Sequence, residues 1–439
     1  MTDQKNTLLA IVLSAIVLIA WQYFYGMPQL EKQRQAQEQQ KTAQQQRPPT
    51  PGTQPQPGAG QQQTPGATLQ PNTGAQQPPA AGLQQPGANV PQPPGQASGQ
   101  VPGQVPGQVP TAGRTRTSVL AASPRVPIDT PSLSGSIALK GGRIDDLELI
   151  KYRQTVQPNS PPIVLLSPSG SPHPFYAEFG WVAAPGTQAP LPNAETQWQQ
   201  QGAGALSVGR PVTLTWNNGQ GLTFRRTIAV DENYLFTLKD EVTNAGSAPV
   251  TLHPYALVSR HGTPETLGYY ILHEGLIGVL GEQGLQEVSY SSIEDKKLIT
   301  FNVTNAWLGI TDKYWAATLL PQTTARVNAR YSAGTIGTLK TFQTDYLQDA
   351  QTIAPGATAA VETRLFAGAK ETNLIDAYDQ RLRLNRFELL IDWGWFHFIT
   401  KPLFLAMDWI YQKVGNFASA LKPQGAGLLP FRMKQVQLT

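Results

Sequence analysis

VTLTWNNGQGLTFRRTIAVDENYLFTL, residues 212–238, decides the fold class. Val212, Leu214 and Trp216 fall on one face of an extended chain, and NNGQG supplies the residues of a tight turn. Leu222, Phe224, Ile228 and Val230 continue the alternation on the return, and DEN (231–233) turns the chain again before Tyr234, Phe236 and Leu238. A period of two broken only by turn residues describes half-buried strands. The runs PIVLLS (162–167), VTLHPYALVS (250–259), LITFNVT (298–304), ARVNARYS (325–332) and AAVETRLFAG (359–368) extend the same reading. Long helical periodicity is missing before Thr372. Residues 129–371 are therefore expected to form one large antiparallel β-sandwich.

Much of the remaining chain cannot fold in this way. Of 439 residues only 14% are charged, while Gly (40) and Pro (38) are frequent. Pro28 to about Ile128 begins Gln-rich and charged, then becomes Pro/Gly/Gln/Ala, including the imperfect repeat GQVPGQVPGQVP (99–110). Such composition buries too little apolar surface to offset ordering entropy, so residues 28–128 are expected to be an extended spacer. Ahead of it, Leu8 to Tyr25 is uncharged. As a helix it would measure about 27 Å, close to a hydrocarbon core of roughly 30 Å. A cleaved signal peptide would have small residues where WQYFY stands, so residues 1–27 read as an uncleaved transmembrane anchor. The charges flanking it weakly favour an outside N-terminus but leave orientation open.

The net charge of +4 is small and dispersed, which argues against a nucleic-acid partner. Cysteine is absent, which excludes disulfides, thiol catalysis and thiolate metal sites. His173, His253, His261 and His273 show no metal spacing, and neither a phosphate loop nor a GxSxG elbow is present. No catalytic, cofactor or metal residue is therefore assigned. His273 with adjacent Glu274 leaves one alternative, a membrane-tethered carbohydrate-binding or mutarotase-like sandwich acting in the periplasm.

From Thr372 the period changes. Leu374, Ile375, Tyr378, Leu382, Leu384 and Phe387 share helical spacing and predict a helix leaving the sandwich. WGWFHFITKPLFLAMDWIYQKVGNF (393–417) then places His397, Lys401, Asp408 and Gln412 on one polar stripe, with Phe396, Ile399, Leu403, Ile410 and Val414 on an apolar face. Pro402 is expected to kink this segment or to open a second helix after Thr400. An ordinary surface helix packed on the sandwich is one reading. The aromatics Trp393, Trp395, Trp409 and Tyr411 favour the other, an amphipathic helix in the membrane interface.

The order anchor, Gln/Pro spacer, β-domain and Trp-rich helix resembles the Gram-negative form of the YidC/Oxa/Alb family of membrane protein insertases. The stretches that carry the resemblance are GGRIDDLELIKYRQT (141–155), SPPIVLLSPSGSPHPFYAEFGW (160–181), WLGITDKYWAATLLPQ (307–322), RLFAGAKE (364–371) and IDWGWFHFITKPLF (391–404). The resemblance implies a bacterial inner-membrane protein with a cytoplasmic N-terminus and a periplasmic β-domain. Its implied partners are nascent inner-membrane proteins, the Sec translocon and the lipid bilayer. In the family a transmembrane core bearing a groove arginine follows VGNF. Residues 418–439 contain no comparable apolar run, and Arg432 is not preceded by a span. The chain is thus expected to carry the N-terminal and periplasmic part only, as a product truncated or frameshifted after about Phe417. A shorter periplasmic module that meets the translocon without inserting anything is the other reading.

Overall fold

The turn chemistry of residues 217–222 closes a hairpin. In the computed structural model, which describes residues 114–155, 157, 159–264, 272–394 and 397–414, Asn218 Oδ1 accepts the N–H groups of Gln220 (2.8 Å) and Leu222 (2.9 Å). Gly221 has φ +92°, and a Cβ there would lie 2.8 Å from the Gly246 nitrogen, so the turn requires glycine. The flanking strands pair with Val212 opposite Ile228 and Trp216 opposite Phe224. Every second residue of Leu222–Val230 is buried, as the period of two requires.

Numbered along the chain, the described strands form two antiparallel sheets. The first runs β1 (Arg125–Asp129), β2 (Leu133–Ala138), β3 (Ile144–Arg153), β5 (Phe175–Ala183), β10 (Val250–His261), β17 (Leu339–Gln348), β16 (Val327–Ile336) and β13 (Leu298–Val303). On it β4 (Pro162–Leu166) pairs with β3, and β18 (Gln351–Ile353) with β10. The second runs β12 (Leu285–Ser289), β11 (Gly275–Leu280), β14 (Ala306–Thr311), β15 (Trp315–Pro321), β19 (Thr358–Ala369), β9 (Leu235–Asn244), β8 (Leu222–Val230), β7 (Val212–Asn217) and β6 (Gln199–Gln201). Their facing sides share one core, in which Trp307, Phe224, Phe236, Phe342 and Phe366 are fully buried. This is the expected antiparallel sandwich.

Three expectations need correction. The spacer ends before residue 128: Arg125–Asp129 is already strand β1, and Val126 and Ile128 are core residues. The helix from Thr372 stops at Leu382, short of Phe387. Arg383 and Arg386 take left-handed φ values of 52° and 56°. That reversal swings a short 3-10 turn, Phe387–Leu390, back under the sandwich, where the Phe387 ring meets Trp307 edge-on at 5.2 Å. Pro402, finally, lies inside one helix, His397–Val414, so no second helix opens after Thr400. Being the sixth helical residue, it supplies no N–H to the carbonyl of residue 398 and its ring crowds that carbonyl.

The helices are α1 (Arg116–Leu120), α2 (Tyr290–Lys296), α3 (Thr372–Leu382) and α4 (His397–Val414). Helix α3 is fixed to the second sheet through Tyr378, whose hydroxyl donates to Asp231 Oδ2 (2.8 Å). No described helix is long and apolar enough to cross a membrane. The proposed anchor, Leu8–Tyr25, lies outside the described residues, as do most of the spacer and residues 415–439.

One buried charge holds the layers together. Arg226 interrupts the apolar face of β8, yet it is only 1% exposed. Its Nε and Nη2 donate to Asp240 on β9 (2.6 and 3.0 Å). Nη2 and Nη1 also donate to the Phe179 and Gly142 carbonyls of the first sheet and its β2–β3 turn (2.6 and 2.9 Å). A Cβ at Gly142 (φ +63°) would stand 3.0 Å from Arg226 Nη1, so the glycine of GGRIDD makes room for the guanidinium.

Candidate functional site

Strand β19 ends in RLFAGAKE, and its small residues have a packing cause. A Cβ at Gly368 would lie 2.1 Å from Tyr234 Cγ, so only glycine lets the Tyr234 ring lie across the strand. Tyr234 OH then donates to Glu371 Oε1 (3.1 Å), which also accepts from Tyr152 OH (2.7 Å). Burial raises the pKa of both phenols, so each remains a hydrogen donor to the carboxylate.

Beyond this pair opens a cavity of about 640 Å³ between the end of the second sheet and helix α4. Four of the five stretches quoted above converge on it. GGRIDDLELIKYRQT contributes Lys151 and Tyr152, and the β14–β15 turn contributes Lys313, Tyr314 and Trp315. RLFAGAKE contributes Lys370 and Glu371, and the C-terminal stretch contributes Asp392, Trp393 and Phe404. The volume lies in the range of small-molecule sites, and the walls combine five aromatic rings with six charged groups.

The polar groups differ in how far their bonding is satisfied. Asp392 accepts the backbone N–H groups of His273 and Gly394, both at 2.9 Å. Lys370 makes one hydrogen bond from Nζ, to Thr311 Oγ1 at 3.0 Å. Burial lowers its pKa to about 8, against the opposing charges of Asp312, Asp392, Glu274 and Glu287. Trp393 Nε1 is buried and has no acceptor among the described residues.

His273 and Glu274, paired in the sequence, do border this region. Their roles are to hold backbone: His273 N–H bonds Asp392, its Nε2 lies 3.0 Å from the Leu276 carbonyl, and Glu274 Oε1 accepts Lys313 N–H at 3.2 Å.

Helix α4 closes the cavity in an unusual orientation. Lys401 Nζ donates to Asp376 Oδ1 on α3 (3.0 Å), and Asp408 Oδ2 accepts from Asn373 at 3.5 Å. The half-buried Trp393 packs edge-on to Phe404 at 5.6 Å. Ile399, Leu403 and Trp409 point away from the protein and are 53, 57 and 63% exposed. The side chains of His397 and Gln412 are outside the described residues. Lys401 and Asp408 of the polar stripe thus face inward while Ile399 and Leu403 of the apolar stripe face outward, the reverse of a surface helix on a globular core. Trp395, Phe396 and the side chains of Ile410 and Val414, expected on the same face, are outside the described residues.

The family model of the YidC periplasmic domain matches residues 125–406. The chain belongs to the YidC family. It is 55% identical over 430 residues to a membrane protein insertase YidC of Nitrobacter hamburgensis, covering 96% of this chain and 63% of that protein. Against a membrane protein insertase YidC of Bradyrhizobium diazoefficiens it is 53% identical, covering 96% and 64%. The chain therefore spans a little under two thirds of the length of these YidC relatives. Among solved structures it is similar to a galactose mutarotase related enzyme from Lactobacillus acidophilus, at 8% identity and a TM-score of 0.39, over 56% of this chain and 97% of that one. A likeness at that level bears on neither ligand nor activity.

Proposed function

We propose that this chain is part of a machine that inserts proteins into the bacterial inner membrane and helps them fold and assemble there, with or without the Sec translocon. The observation that carries the proposal is the 55% identity with a membrane protein insertase YidC along almost the whole chain. The task is physical rather than chemical: to lower the cost of moving polar flanks and unpaired backbone through hydrocarbon. Residues 8–25 anchor the chain with its N-terminus in the cytoplasm, the residues from 28 up to helix α1 act as spacer, and the sandwich stands in the periplasm. Nascent inner-membrane proteins, Sec components and the lipid bilayer are its partners.

The test is insertion of a single-span reporter in cells depleted of their own insertase. A hybrid in which the chain is continued by the remaining third of the Nitrobacter hamburgensis relative is expected to restore insertion. No restoration by a stably produced hybrid would count against the proposal.

Within this function α4 and the residues just before it lie in the membrane interface, with Trp395, Phe396, Ile399, Leu403, Trp409, Ile410 and Val414 as the interfacial set; Trp393, expected among them, instead lines the cavity with its Nε1 buried. The outward exposure of Ile399, Leu403 and Trp409 supports that placement. Because the chain has no cysteine, single labels can be placed cleanly. In the full chain reconstituted into vesicles, a fluorophore at Leu403→Cys is expected to be shielded from an aqueous quencher. One at Val208→Cys, an exposed sandwich site, should be quenched freely. Equal quenching at both positions would place α4 in water.

A further inference from the structure

The cavity beneath α4 has a directional imbalance that its net charge hides. Three lysines and three carboxylates line it, but the carboxylates already accept hydrogen bonds: Glu371 from two phenols, Asp392 from two backbone N–H groups and Asp408 from Asn373. The donors are not matched in the same way. Lys370 uses one of three N–H groups, and Trp393 Nε1–H has no acceptor among the described residues although buried. Lys151 is exposed at the rim, and its side chain has no ion pair or hydrogen bond among the described residues. A desolvated ammonium and a buried indole N–H are costly unless an acceptor enters. The carboxylates Asp312, Asp392, Glu274 and Glu287 act on Lys370 through charge, and what the inner wall lacks is an acceptor placed to take the remaining N–H groups.

The walls narrow the choice of oxyanion. Tyr314, Trp315, Trp393 and Phe404 offer ring surface beside those donors, which suits a phosphate attached to an apolar body better than inorganic phosphate. Trp393 and Phe404 also belong to the segment that turns Ile399, Leu403 and Trp409 outward. We propose that the cavity holds the phosphodiester headgroup of a phospholipid, with Lys370 and Trp393 Nε1 as its inner donors and Lys151 at the mouth. This rests on the placement of α4 at the membrane surface, which brings lipid headgroups to the cavity. Occupancy would tie the end of β19 and the Asp392–Trp393 segment to one lipid.

The test uses the full chain in maltoside micelles, which contain no phosphate, titrated with water-soluble dihexanoylphosphatidylglycerol and followed by calorimetry. Saturable binding is expected. Lys370→Met should weaken it about tenfold or more, the scale of one charge-assisted hydrogen bond. Trp393→Phe and the exposed change Lys151→Gln should each weaken it about threefold, within the range of one ordinary hydrogen bond. Lys239→Gln, on an exposed strand face elsewhere, should leave it unchanged.

Lys151→Gln keeps the test decisive if the buried variants do not fold. Unchanged affinity in Lys151→Gln, or in any folded inner-donor variant, overturns the proposal, as does the absence of saturable binding. Inorganic phosphate binding as tightly as the lipid would identify a free-phosphate site and overturn the lipid assignment. Equal binding of dihexanoylglycerol would show an apolar groove and also overturn it. The titration needs no bilayer, so a failure of the α4 placement appears in the quenching experiment and leaves this result standing.

Discussion

Asp240→Ala is expected to cost the sandwich about 3–5 kcal/mol, the scale for breaking a buried ion pair from one side. The cause is what remains behind. Arg226, 1% exposed, would keep its bonds to the Gly142 and Phe179 carbonyls but lose both contacts that balance its charge. Neighbouring Trp198, 5.1 Å below the guanidinium, offers only a ring face in compensation. Removing both charges, as in Arg226→Met with Asp240→Leu, should recover most of the loss, because no uncompensated ion is then buried. Urea unfolding of the three proteins, followed by tryptophan fluorescence, separates the outcomes. A loss below about 1 kcal/mol for Asp240→Ala would mean that water reaches the guanidinium and the pair is not a dry bridge.

The second large effect depends on pH. His261 ends β10 and is 3% exposed. Its Nε2 lies 3.4 Å from Tyr176 OH, and its Nδ1 has no partner. Burial, helped by the positive charge of Arg143, lowers its pKa from 6.5 to about 4. Between those two values the unfolded chain binds a proton that the folded chain refuses. Stability from this group is therefore complete above pH 6.5, falls as the pH drops toward 4, and changes no further below that. At about 1.4 kcal/mol per pKa unit the total is about 3 kcal/mol. His261→Asn cannot take up the proton, so its stability should decline less between pH 7 and pH 4 by about that amount. Other groups titrate in the same window, and the difference between the two curves isolates the histidine. Parallel curves would show that His261 is solvated in the folded protein.

The sandwich was legible wherever a strand has one wet face. Leu222–Val230 and Leu235–Asn244 declare themselves by alternation, and Val327–Ile336 keeps enough of it to be recognised. Strands β5, β11, β14 and β17 carry no such pattern, because nearly every residue in them is buried and both faces are packed. Arg226 was hidden for the opposite reason. A charged residue on an apolar face reads as an interruption until Asp240, fourteen positions on, is seen directly opposite it. The cavity under α4 could not be read from spacing, since its walls come from positions as distant as Lys151 and Asp408. A usable signal was present nonetheless: four of the five stretches that carry the family resemblance, among them the Lys370–Glu371 pair that follows β19, meet there. The amphipathic stripes of α4 were legible as stripes, but which of them faces the protein is decided by Asp376 and Asn373, on another helix.

The grip of α3 on α4 also sets a bearing. Lys401 and Asp408, one on each side of Phe404, are both held by α3, and α3 is held to the sheet by Tyr378, so α4 resists rolling about its own axis. A helix free to roll would let the periplasmic domain pivot over the lipid like a buoy on a chain. Held at both contacts, it behaves as a keel. With α4 in the membrane interface, as proposed above, the domain would keep one heading and one height above the bilayer, and its reach toward any neighbour in the membrane would be a fixed length rather than a sweep.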